Sequence, residues 1–317
     1  MEVKDVKKYF PVKSGFLQKS KQSVRAVDGV SFFIKENETL GVVGESGCGK
    51  STLGRLIMQV LEPSEGKIIF DGVNLTEISK NKLLDMRKSF QMIFQDPYAS
   101  LNPKMKIGDI LQEPFLVNNV CDAKEAFNRS KELMLKVGLK EEDMEKYPHQ
   151  FSGGQRQRIG IARAIALKPK LIVADEAVSA LDVSIQSQII NLLLELKKEL
   201  RLSYIFISHN LAVVQHVSDR IAVMYLGNIV EIGDTSLIFN KPLHPYTEAL
   251  LSATPSIDRN SKTERIILKG EIPSPSNPPT GCPFHTRCPV AMEICSQHKP
   301  KLKEYQDGQT VACHLHS

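Results

Sequence analysis

No tryptophan occurs in the 317 residues, and aromatic side chains make up only 6%. A surface that stacks nucleobases needs several exposed rings, so this composition argues against a single-stranded nucleic-acid platform. Charge of one sign is also scarce. The 41 basic and 36 acidic residues leave a net +5, too thin for a phosphate-tracking patch. One lysine-rich stretch (Lys4, Lys7, Lys8, Lys13, Lys19, Lys21, Arg25) reads as a solvated face around an exposed loop. No run approaches the roughly 18 to 20 continuous apolar residues that cross a bilayer. The first eight residues lack the apolar core of a secretory signal, so any membrane role is expected to run through partner chains. No internal repeat is visible. With 42% apolar and 24% charged residues, the chain is of ordinary globular type, long enough for a large core with small satellites.

Cysteine is sparse and lopsided. Cys48 and Cys121 stand alone, whereas Cys282, Cys288, Cys295 and Cys313 crowd into the last 36 residues. Without an export signal, such a cluster suggests metal binding more than disulfides. No close C-x-x-C pair is present, which argues against an ordinary zinc ribbon.

Short apolar runs alternate with helical spacing, which reads as an α/β fold. Residues 24–34 are expected to form a strand pair turning at Asp28-Gly29. Thr39–Val43 is a short buried strand entering a glycine loop, followed by a helix from Lys50 to about Val60. Lys67–Phe70 with Asp71-Gly72 reads as strand and turn. From about Asp96 to Gln150, Pro97, Pro103 and Pro114 punctuate a helical insertion whose main helix spans 123–137. Strands are expected at Leu171–Ala174, Tyr204–Ile207, Ile221–Met224 and Asn228–Ile232. Between the first two, Ile189, Leu193, Leu196 and Leu200 recur at helical spacing. After Leu251, Pro255, Pro273, Pro275, Pro278 and Pro279 suggest a linker to a small cysteine-bearing terminal unit.

The chemistry starts at Gly44-Glu45-Ser46-Gly47-Cys48-Gly49-Lys50-Ser51. The glycines let successive backbone N–H groups converge on phosphate oxygens, and the following helix N-terminus favours negative charge. Lys50 is expected at the β- and γ-phosphates and Ser51 as a hydroxyl ligand to Mg²⁺. Glu45, Ser46, Cys48 and Thr52 complete the nucleotide-binding set, Cys48 through its backbone. Later, Leu171–Ala174 runs into Asp175 and Glu176. An acid at the carboxyl end of a buried strand can meet Mg²⁺ through water, and its neighbour can deprotonate the attacking water. Two acids after a strand are ordinarily a solvated strand end; their distance after the glycine loop gives them weight.

With these and four further motifs in order, the chain resembles the ATP-binding subunit of an ABC transporter over essentially its whole length. Gln95 resembles the Q-loop, residues 151–155 the LSGGQ signature, residues 179–182 the D-loop, and His209 the switch histidine. Two departures are visible: Phe151 stands where the family has leucine, and Ala177-Val178 follow Glu176 in place of proline and a small hydroxyl residue. The resemblance implies a P-loop (RecA-like) ABC core with an antiparallel β subdomain, a helical signature subdomain and a small Cys-rich C-terminal unit. In residues, the core would be 1–95 and 156–235, the helical subdomain 96–155 and the extension 236–317. It implies catalytic roles for Glu176, His209, Gln95 and Lys50. Mg²⁺ would be held by Ser51, Gln95 and Asp175. Ser152, Gly153, Gly154, Gln155 and Asp182 would act on nucleotide held by a second subunit. An aromatic ahead of the core stacks on adenine: Phe10 by spacing, with Tyr9 the alternative.

Asp96–Pro103 and Pro242–Leu250 resemble the dipeptide, oligopeptide and nickel uptake branch. This implies ATP-driven import of peptides, with nickel the alternative cargo. The implied partners are a second ATPase subunit, two transmembrane permease subunits and, indirectly, an extracellular solute-binding protein, with no nucleic acid. The location would be the cytoplasmic face of the membrane. The branch also implies a [4Fe–4S] cluster on Cys282, Cys288, Cys295 and Cys313, with Zn²⁺ the alternative. Two rival readings are a soluble ABC-type ATPase acting on nucleic acid or ribosomes, and a redox or iron sensor.

Overall fold

The computed structural model describes residues 1–12, 23–96, 98–253, 266–306 and 308–316. Lys13, Lys19, Lys21, Pro97 and Pro255 of the sequence reading lie outside the described residues. In chain order the strands and helices begin with β1 (Glu2–Pro11), β2 (Ser23–Phe33), β3 (Thr39–Val43), α1 (Lys50–Ile57), β4 (Glu65–Phe70) and β5 (Val73–Asn74). Next come α2 (Lys80–Met86), β6 (Phe90–Ile93), α3 (Ile107–Val117), α4 (Ala123–Lys136), α5 (Gly153–Ile165), β7 (Leu171–Asp175), α6 (Val183–Leu200) and β8 (Ser203–Ile207). The chain continues through α7 (Leu211–Val217), β9 (Arg220–Tyr225), β10 (Asn228–Asp234), α8 (Thr235–Asn240) and α9 (Pro245–Ser252). It finishes with α10 (Glu293–Gln297), β11 (Lys303–Gln306) and β12 (Gln309–Val311). They divide into two compact units, the first from residues 1–35, 39–78 and 208–317, the second from 36–38 and 79–207.

In the first unit β3, buried at every position, pairs in parallel with β9, Leu40 opposite Arg220 and Val43 opposite Val223. A strand buried on both faces reads as a continuous apolar run rather than an alternating one. β9 and β10 form a hairpin whose turn residues Leu226 and Gly227 both have positive φ, the geometry that matches strand twist. A second, antiparallel sheet runs in the order β2-β1-β4-β5. The expected turn at Asp28-Gly29 is instead a bulge inside the single strand β2. Val6 pairs with Val30 while Lys7 pairs with Asp28, leaving Gly29 unpaired at φ +83°. Asp-Gly supplies a positive φ to a bulge as readily as to a turn. Helix α1 stops at Ile57, short of the expected Val60, because Gln59 turns left-handed at φ +51°.

The C-terminal residues belong to this first unit rather than standing apart after a linker. β12 pairs with β10, β11 pairs with β12, and the Pro275 carbonyl accepts from the Arg25 amide at 2.9 Å. A proline cannot donate to a ladder but can still accept, and this chain uses it so.

The second unit carries the parallel strands in the order β8-β7-β6, with β7 and β8 buried throughout. On α6, Ile189, Leu193 and Leu196 are buried, as their spacing requires, whereas Leu200, expected with them, is only half-buried at the helix end. Pro114, read as a break ahead of the 123–137 helix, lies instead within a helix of its own, α3. Ile107, Ile110, Leu111 and Phe115 of that helix are buried. Four such side chains contribute roughly 1.5 to 3 kcal/mol each, which exceeds the roughly 3 kcal/mol an interior proline costs.

Candidate functional site

Steric demand shapes the glycine loop in the first unit. Gly44, Gly47 and Gly49 all have positive φ. A Cβ at Gly44 would stand 2.2 Å from the Met224 carbonyl oxygen, and one at Gly49 2.1 Å from that of Ala26. Both neighbours are backbone and cannot swing away, so only glycine fits. The Cys48 side chain is buried, which pushes its thiol up, while its carbonyl accepts from the Gly227 amide at 2.9 Å. Gly49 caps α1, and Lys50 opens it. The Lys50 ammonium, largely buried, donates to the carbonyl oxygens of Gly44 at 2.7 Å and Glu45 at 3.0 Å. It thus waits against the loop it would serve. Ser51 and Thr52 are half-buried on the first turn, and Ser46 is exposed.

Glu45 is held from outside the loop by two residues that the sequence reading did not single out. Arg287 donates to both its carboxylate oxygens, at 2.7 and 3.2 Å, and the Tyr246 hydroxyl accepts from its amide at 2.9 Å. Tyr246 belongs to the distinctive 242–250 segment, which carried a family signal but no hint of this contact. Arg287 had no signal beyond lying beside Cys288. His209, exposed, lines with Gly44, Glu45, Tyr246 and Arg287 a cleft of about 430 Å³. Of the two aromatic candidates, Tyr9 donates its hydroxyl to Asp28 at 2.5 Å. Lys299 ion-pairs with the same Asp28 at 2.8 Å. Phe10, half-buried, has the Lys8 ammonium over its ring.

The second unit brings Gln95 and Glu176 together: the Gln95 amide nitrogen donates to the Glu176 carboxylate at 2.7 Å. Asp175 is buried at the end of β7. Glu176 follows at φ +48°, a left-handed conformation that costs a non-glycine residue roughly 1 to 2 kcal/mol. Its amide donates to the Ile207 carbonyl at 2.9 Å, and its own carbonyl accepts from Ser179. Those bonds hold the strained residue in place. In the signature segment, the Ser152 hydroxyl accepts from the Gln155 amide, and the Gln155 side chain accepts from the Ser152 amide. This capping box satisfies the start of α5 within the chain. Gly154 is packed so closely that a Cβ would meet Ile185 Cγ2 at 2.5 Å. Gly153 is half-buried, while Ser152, Gln155 and Asp182 are exposed.

All four C-terminal cysteines are free thiols. Burial first, then the neighbouring Cys295, Cys313 and Cys288, push the Cys282 thiol up to about 11. Cys288 and Cys313 shift the same way, burial again leading. The four therefore influence one another's titration. Among the described residues, however, no three His, Cys, Asp or Glu side chains are arranged to hold a metal ion.

The family described as "ABC transporter" matches residues 27–179. The family described as "Oligopeptide/dipeptide transporter, C-terminal region" matches residues 230–295. Over 320 aligned residues the chain is 54% identical to the oligopeptide transport ATP-binding protein AppF of Bacillus subtilis (strain 168), covering 100% of this chain and 97% of that one. The chain belongs to the ABC transporter ATP-binding family. This ABC chain is also 53% identical to the dipeptide transport ATP-binding protein DppF of Haemophilus influenzae, over 97% of its length and 94% of the relative's. Among solved structures it resembles the ATP-binding cassette MJ0796 in a dimeric post-hydrolysis state bound to ADP and Pi. That match has a TM-score of 0.65 and 26% identity over 74% of this chain and 98% of the other. It also resembles cbiO1 from Clostridium perfringens, part of the ABC transporter complex cbiONQ, with a TM-score of 0.65 and 28% identity over 76% and 90%. The ABC chain is thus an ATPase of the cassette fold, built around a phosphate loop and a mixed sheet. Among the described residues no helix is long and apolar enough to cross a membrane.

Proposed function

We propose that this ATPase drives import of dipeptides or oligopeptides. The observation that carries the reading is the full-length likeness to a peptide-transport ATP-binding protein together with the match of residues 230–295 to the peptide-transporter tail. Both named relatives are peptide-transport proteins, which favours peptides over nickel. The partners are a second ATPase subunit and two permease subunits, with an extracellular binding protein feeding them. They hold this chain at the cytoplasmic face of the membrane.

In this reading Lys50 leaves the Gly44 and Glu45 carbonyls for the β- and γ-phosphates, and residues 44–52 supply the surrounding N–H groups. The Ser51 hydroxyl, Gln95 amide oxygen and Asp175 carboxylate are hard oxygen donors, the type that suits Mg²⁺. When bound, the ion neutralises charge developing on the phosphates. Because the Gln95 nitrogen engages Glu176, its oxygen is the end left for the metal. Glu176 takes the proton of the attacking water, with His209 placing the γ-phosphate and that water. Phe10 stacks on adenine, since Tyr9 is committed to Asp28. Ser152, Gly153, Gly154, Gln155 and Asp182 act on the nucleotide of the second subunit.

A [4Fe–4S] cluster or Zn²⁺ on Cys282, Cys288, Cys295 and Cys313 is a separate proposal. It is supported by four free thiols in mutual electrostatic reach. Among the described residues their side chains do not form a ligand set as they stand, so binding would require them to rearrange.

Deleting the gene and measuring uptake of labelled di- and oligopeptides tests the proposal. Peptide uptake should fall to background while nickel uptake holds. Unchanged peptide uptake in a strain without redundant importers overturns it.

A further inference from the structure

We infer that Arg287 is a positioning residue for the phosphate loop, fixing Glu45 and cancelling its charge beside the triphosphate. The inference rests on the nucleotide reading of that loop. Glu45 is gripped from outside the loop at two points that remain when Lys50 turns to the phosphates. Arg287 donates to both carboxylate oxygens, and the Tyr246 hydroxyl accepts from the amide. The Arg287 side chain is 8% exposed and the Glu45 side chain 29%. The paired guanidinium is held further up from its usual range, chiefly by its bonds to Glu45.

The grip is built on a rigid base. Tyr246 is buried against Tyr225 and Phe284, with ring centroids 4.7 and 5.4 Å apart. Phe284 lies three residues before Arg287, and its ring also meets Tyr225 at 5.2 Å. Both anchors therefore share one aromatic cluster, and neither can move without disturbing it.

Electrostatics supplies the second half of the argument. A carboxylate immediately after Gly44 stands on a loop whose task is to receive several negative charges. Unpaired, it would repel them; a bidentate guanidinium removes that repulsion and fixes the backbone at once. The planar fork does both, whereas a lysine would supply charge without the two-point geometry.

The test uses the full chain in its assembled transporter, with ATP as the probe. Arg287→Ala should raise the KM for ATP roughly tenfold, the size of one charge-assisted hydrogen bond, with kcat within about twofold. Arg287→Lys should recover part of the loss. Adding Glu45→Gln to Arg287→Ala should lower KM again, because the unpaired carboxylate is gone. A structural role alone would not yield that suppression. If Arg287→Ala does not fold, the Arg287→Lys and Glu45→Gln variants carry the test, since each weakens the pair while keeping side-chain volume. An unchanged KM in all folded variants, a loss confined to kcat, or a double variant no better than Arg287→Ala overturns the inference. Failure of the wild-type transporter to hydrolyse ATP would instead overturn the nucleotide reading.

Discussion

His244 shows how one side chain can tie stability to pH. It is almost fully buried; its Nδ1 accepts from the Tyr246 amide at 3.0 Å and its own amide donates to Glu231 at 3.0 Å. Burial, with a smaller contribution from His316, lowers its pKa from 6.5 to about 3. The folded imidazole therefore stays neutral while the unfolded one takes up a proton. Stability from this group is present above about pH 6.5 and is lost as pH falls towards about 3. In His244→Asn, which keeps a capping acceptor, thermal midpoints between those limits should fall less steeply than in the wild type. Parallel curves would remove His244 from the account. At the opposite side of the same contact, Glu231 is fully buried and receives the Leu243 and His244 amides and the Gln309 side chain. Burial raises its pKa in spite of those donors.

Among the elements, the α5 start joins packing to chemistry. Gly154→Ala would push a methyl into Ile185 Cγ2, an overpacking that costs about 1 to 3 kcal/mol. A lower thermal midpoint is expected, restored by adding Ile185→Ala. If the midpoint is unmoved, packing does not explain this glycine. The regular strands were legible in the sequence because a buried strand is written as an apolar run: Leu171–Ala174 and Tyr204–Ile207 needed no further context. Helix α3 was not, since Pro114 is a local signal to break and only the burial of Ile110 and Phe115 overrules it. Gly29 failed for a related reason, because an Asp-Gly pair does not say whether the strand turns or bulges. The glycine loop and the Asp175-Glu176 end were legible from spacing. Arg287 and Tyr246 were not, because their link to Glu45 spans about two hundred residues or more and follows no local period. No single sequence can announce such a contact.

At the scale of the whole molecule, Ser152, Gln155 and Asp182 are exposed, and the proposed pairing with a second cassette would cover them. Replacing Glu176 by glutamine should slow hydrolysis by roughly 10² to 10⁴ while sparing ATP binding. With ATP present, light scattering should then find that variant as a lasting dimer with its paired subunit. Adding Ser152→Phe should disperse the pair. Normal turnover by the glutamine variant would remove Glu176 as the base. The tail also ion-pairs with two separate points of the first unit, Lys299 at Asp28 and Arg287 at Glu45, so trimming it to a minimal cassette would loosen both. Cys48 offers a way to watch this happen. Its sulfur is sealed beneath the loop, so a maleimide can label it only during moments when the loop lifts. Counting labelled peptide by mass spectrometry over time would give the opening frequency directly, and nucleotide should slow that clock.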